Sequence, residues 1–140
     1  MPIGDLVYLL AIFRGMAEGI ATPRMRIMAD DLIWDGPLTL ANIANGPWEG
    51  GMFHIAPMAS NGDGQFDLMI AGPVSRRRIL TLLPTLMSGK HIEEKEIMHR
   101  RVRQLTIEAE EPVLSHLDGE IQPPLRHLEI SLLPGALRLL

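Results

Sequence analysis

Cysteine is absent from the 140-residue chain. That excludes disulfide frameworks, thiolate zinc sites and cysteine nucleophiles, and it fits a reducing compartment, so the cytoplasm is the expected location. An excess of basic charge is lacking too. With a net charge of -4 and a pI near 5.7, no broad phosphate-binding surface is expected, and nucleic acid is not an expected partner. Long hydrophobic runs are missing as well: "LVYLLAIF" is too short to cross a bilayer. It also lacks the basic prelude of a signal peptide, with Asp5 before it and Arg14 directly after. Aromatic residues number six against nine methionines, and the methionines read as adaptable core filler. Nucleotide and hydrolase signatures (GxGxxG, a Walker loop, GxSxG) are absent, and the five histidines form no HxxxH or HExxH pair.

What is present describes an ordinary globular domain. Hydrophobic residues make up 46% and charged residues 21%, and the length suits one core, so residues 1–140 are read as a single domain. Leu6, Leu9, Leu10 and Phe13 at helical spacing predict an amphipathic helix over residues 4–18. A chain opening directly on such a face is expected to be cut from, or paired with, something larger. Met25 and Ile27, alternating with Arg24 and Arg26, predict a strand. The segment "DDLIWDGP" then reads as acidic and Asp-Gly turn signals before a second strand, "LTLANIAN", the pattern of a hairpin. Residues 45–64 are too rich in glycine and proline for helix or sheet, and loops of that length are usually functional.

Beyond that loop, "QFDLMIAG" predicts a short strand, with Asp67 as ordinary strand surface. "VSRRRILTLLPTLMSGKH" predicts a helix with Ser75 near its start, Gly89 as its stop and Pro84 as a kink or break. Its apolar face is expected to carry Leu80, Leu83 and Leu86 or Met87. From Ile97 onward, alternation through Val102, Leu105, Ile107 and Ala109 predicts antiparallel sheet to the C-terminus. The basic runs Arg76–Arg78 and Arg100, Arg101, Arg103 are read as solvated faces.

Two acidic turns stand out, "SNGDGQFD" at residues 60–67 and "LDGE" at residues 117–120. The first is not a calcium-binding EF-hand loop. Placing Asp63 and Gly64 fifth and sixth would make Ala59 the first ligand and Ile70 the bidentate one, and neither can serve. Both stretches suit hairpin turns. Asp118 and Glu120 lie close enough in sequence to hold a metal or accept a proton. His116 shares a face with Asp118 if its strand stays regular.

The ordered set "ANIANGPWEGGMFHIAPMASNGDGQFDLMI", "LTLLPTLMSGKH", "HLDGE" and "LEISLLPGALRLL" resembles the C-terminal half of the diacylglycerol kinase-like lipid kinases. That family includes soluble bacterial diacylglycerol and YegS-type lipid kinases and the sphingosine and ceramide kinases. The resemblance implies a mainly β fold with a few helices, an antiparallel β-sandwich-like lobe packed beside a nucleotide-binding lobe. It implies that Asp63 engages magnesium, with carbonyls of Ser60 and Gln65 helping to hold the ion. Asp118 and Glu120 match the motif carrying the proposed general base, which takes the proton from a lipid hydroxyl attacking the γ-phosphate of ATP.

Two departures accompany the likeness: Gly62 stands where many relatives carry an aspartate, and "EGGM" where a triple glycine is frequent. The family's Gly-Gly-Asp-Gly-Thr nucleotide motif is absent from the chain. The expected partners are therefore a lipid at a membrane surface and a nucleotide-binding lobe on the same or a separate chain, with a homodimer left open. A cytoplasmic, membrane-peripheral location follows, with the 140-residue chain inactive alone. The alternative reading is a non-catalytic lipid-binding or regulatory module that keeps the β lobe.

Overall fold

The computed structural model describes residues 19–136; the helix expected over residues 4–18 lies outside them. The alternation in "RMRIMA" makes β1 (Arg24–Ala29), with Ile27 and Ala29 buried and both arginines exposed. The chain reverses at Asp30, whose φ of 47° is one that aspartate tolerates better than most residues. It returns as β2 (Leu32–Pro37), which pairs antiparallel with β1.

Asp35 and Gly36, expected as turn residues, lie inside β2 opposite Arg26 and Met25. Side-chain burial overrides their turn chemistry. Leu32 and Trp34 pack on the core and Gly36 is buried on the same face, so the strand is carried through. The "LTLANIAN" segment is consequently not β1's hairpin partner. As β3 (Leu40–Ala44) it crosses to a second sheet and pairs with β4 (Phe66–Ala71), which pairs in turn with β5 (Ile97–Val102).

The ten-residue β6 (Gln104–Val113) returns to β1, and β9 (Leu125–Ser131) lies along its other side. A four-stranded sheet, β2-β1-β6-β9, thus faces a three-stranded sheet, β3-β4-β5, with a small hairpin of β7 (His116–Leu117) and β8 (Glu120–Ile121) outside both. Between the sheets lies one apolar core: Ile27, Ala29, Leu105 and Ile107 from one side, Leu68, Ile70 and Val102 from the other. This is the antiparallel β-sandwich expected.

Helix α1 (Arg76–Ser88) and a 3-10 turn (Lys90–Glu93) cover part of the outer face of the three-stranded sheet. Ser75 caps the helix by accepting from Arg78 N–H, and Gly89 ends it in the left-handed conformation. Pro84 does not break it. The buried stripe is Val74, Ile79 and Leu82 against Ala71 and Ile97. Leu80 and Met87, expected on the apolar face, are instead largely exposed.

Candidate functional site

The loop over residues 45–64 is irregular, as its composition requires, yet it is bonded along its length. Glu49 and Phe53 exchange backbone bonds, Ala56 N–H reaches Pro47 O, and His54 N–H reaches Leu86 O. Ala56 is buried against Ala44 and Met69 on the outer face of the three-stranded sheet. Trp48 stacks on His54 with ring centroids 4.3 Å apart. His91 bonds the Ile55 carbonyl at 2.8 Å through Nε2, and burial holds its pKa below the ordinary value.

At its end the loop forms the first acidic turn. Asp63 N–H reaches Ser60 O, and Asp63 Oδ1 accepts from Gln65 N–H at 3.0 Å, an Asx-type turn that leads into β4. Ser60 and Asp63 are exposed and Gln65 half-buried. Among the described residues no group of three His, Asp or Glu side chains could hold a metal ion. What the turn does offer is one exposed carboxylate, whose Oδ2 accepts no hydrogen bond among the described residues. That donor set suits magnesium, which keeps several waters and completes its shell with substrate phosphate.

The second acidic turn is a two-residue hairpin. Asp118 (φ 48°) and Gly119 (φ 88°) both have positive φ, and Leu117 pairs with Glu120 across it. Asp118 is therefore a turn residue, and the period-two relation expected between His116 and Asp118 ends at Leu117. His116 points elsewhere: its Nε2 lies 3.4 Å from Glu49 Oε1, while Glu49 Oε2 accepts from Asn42 Nδ2 at 3.1 Å. Glu49, within the loop, thus joins the hairpin to β3. Asp118 and Glu120 are exposed, flanked by the exposed side chains of Leu117 and Ile121.

Asp67, read from the sequence as ordinary surface, is the main correction. It is 0% exposed. Asp67 lies on the outer face of β4 with Met69, and the loop covers that face. Its Oδ1 lies 2.5 Å from His99 Nε2 and 3.8 Å from Arg101 Nε, both on β5. Arg78 also differs from its solvated reading. Glu96 and Glu94 bond it, which raises the guanidinium pKa and holds the Glu96 carboxyl below its ordinary range.

The family described as the YegS C-terminal NAD kinase beta sandwich-like domain matches residues 1–140. The chain belongs to this family. A YegS-like probable lipid kinase of Pseudomonas aeruginosa is 35% identical over 97% of the chain, and a diacylglycerol kinase of Mycobacterium tuberculosis is 33% identical over 99%. The chain spans 44% of the length of either relative. A solved structure of a candidate diacylglycerol kinase from Bacillus anthracis superposes with a TM-score of 0.69 at 23% identity, over 96% of this chain and 46% of that one. That likeness is one of fold, and it matches the YegS-type sandwich described above. Among the described residues no helix is long and apolar enough to cross a membrane.

Proposed function

We propose that the chain is the C-terminal, substrate-side lobe of an ATP-dependent lipid kinase that phosphorylates the hydroxyl of a diacylglycerol-like lipid. The observation that carries this reading is the setting of the second acidic turn. Asp118 and Glu120 stand exposed between Leu117 and Ile121, which are 63% and 79% exposed. A carboxylate pair flanked by uncovered apolar side chains suits a substrate that joins a hydroxyl to acyl chains at a membrane surface.

In this reading the Asp118 or Glu120 carboxylate accepts the lipid hydroxyl proton while the hydroxyl oxygen bonds to the γ-phosphorus of ATP and the bond to the ADP oxygen breaks. Asp63, with the carbonyls of Ser60 and Gln65, would hold magnesium, which when bound neutralises phosphate charge. The tether from Glu49 to His116 links the loop that ends at Asp63 to the hairpin that carries the base. ATP itself is bound mainly by a nucleotide-binding lobe, on the same or a separate chain. The complex works on the cytoplasmic side, peripheral to the membrane.

Mixing the chain with the nucleotide-binding half of a relative, and following labelled phosphate into diacylglycerol vesicles, tests this. Transfer is expected only with both halves. Asp118→Asn together with Glu120→Gln should lower it by about 100-fold or more; a rate equal to that of the unaltered chain would show the base assignment to be wrong. Vesicle binding without any transfer would favour the non-catalytic lipid-binding module.

A further inference from the structure

We infer that Asp67 is a buried positioning residue: paired with His99 and Arg101, it clamps the 45–64 loop through Arg101 to the outer face of the three-stranded sheet and so sets the turn that presents Asp63. The starting point is a cost. A carboxylate removed wholly from water is strongly unfavourable unless it is paired and hydrogen-bonded. Among the described residues, Asp67 Oδ2 is buried without a hydrogen-bond partner. Its stabilisation therefore falls on His99 Nε2 and the Arg101 guanidinium, both of which reach Oδ1.

Arg101 is shared between the two parts. Its Nη2 donates to the carbonyl of Met58 at 2.9 Å, forty-three residues away in sequence and two before Ser60. The guanidinium is thus held by the Asp67 carboxylate on one side and holds the loop on the other. Register makes this possible, because Asp67 lies directly opposite Arg101 and Ala44 while His99 lies opposite Met69, so the charged groups share the outer face. Ala44 and Met69 form the apolar floor on which Ala56 and Ala59 pack. Only three residues, Gly64, Gln65 and Phe66, separate Asp63 from Asp67, so the turn is held from both ends, at Met58 by Arg101 and at β4 by the strand itself. The functional consequence rests on the reading of Asp63 as the magnesium-network carboxylate; the clamp does not.

Amide hydrogen exchange on the 140-residue chain provides the test. Arg101→Gln is expected to fold, since Arg101 is 40% exposed. The amides of Ala59, Asp63 and Gln65 should then exchange about tenfold faster or more, with β1 and β6 unchanged. Asp67→Asn should act on the same amides, and Arg101→Lys, which keeps the charge and a donor, should restore much of the protection. Unchanged loop amides in Arg101→Gln would overturn the clamp. So would a uniform acceleration across all strands, which would mark Arg101 as merely stabilising. In the assembled two-lobed enzyme, Arg101→Gln should lower kcat and raise the magnesium concentration needed for half-maximal transfer. A loosened loop with unaltered transfer would uphold the clamp and overturn the assignment of Asp63.

Discussion

On its inner face the three-stranded sheet presents Ile43, Leu68, Ile70 and Val102 to the opposite sheet; on its outer face Asn42, Asp67, His99 and Arg101 stand among Ala44 and Met69 beneath a loop. The inner face is held by burial of apolar area, which has no direction and tolerates a change of side chain that conserves volume. The outer face is held by directional bonds, in which a donor without its acceptor is costly. The difference separates two tasks carried by the same strands: one face keeps the domain folded, and the other gives an otherwise irregular loop a single shape.

The largest expected effect breaks the inner face. Leu68 is 0% exposed, so Leu68→Ala should remove about 3 kcal/mol of stability, read from the urea midpoint with an unchanged slope. Next comes the outer face at Gly89. Its φ is 75°, and an added Cβ would lie 2.8 Å from His54 Nδ1 and 3.2 Å from Pro57 Cβ. Gly89→Ala should cost about 2 kcal/mol and perturb the amides of the loop. Ser75→Ala touches neither face. Losing the bond to Arg78 N–H should cost about 1 kcal/mol and fray only the start of α1.

A gentler probe of the outer face is pH. Burial lowers the His91 pKa below its ordinary 6.5, so just below that pH the unfolded chain binds more protons than the folded one. The stability due to neutral His91 should be complete above about pH 6.5 and be lost as pH falls toward the folded value. His91→Gln should flatten that part of the profile in denaturant melts taken from pH 7.5 to 5. Least of all, Asp63→Asn should change stability by less than about 0.5 kcal/mol, since Asp63 is exposed and asparagine keeps the turn. Its expected effect is on magnesium-dependent transfer in the assembled enzyme.

Much of the scaffold was legible because it depends on local pattern. The alternation at Met25 and Ile27 and at Leu105 and Ile107 marks true strands, and Ser75 and Gly89 bracket a true helix. Where sequence reasoning failed, a non-local partner had intervened. Asp35 and Gly36 are good turn residues, but burial of Leu32 and Trp34 draws them into β2. Asp67 is a lone carboxylate in a short strand and reads as surface, and only the covering loop turns its face into an interior. His116 and Glu49 are sixty-seven positions apart, with no shared motif to signal their contact.

The sequence by itself determined the β-rich class, the loop that cannot be regular, the two acidic turns and the family to which they point, because each depends on residue type and short-range spacing. The tertiary structure alone decided which strands share a sheet and which face of β4 lies under the loop. It also decided that a buried carboxylate, two β5 side chains and a loop carbonyl meet at one point. The physical reason is that burial and charge pairing are properties of surfaces brought together across the chain, and the cost of an uncompensated charge arises only once water has been removed from around it.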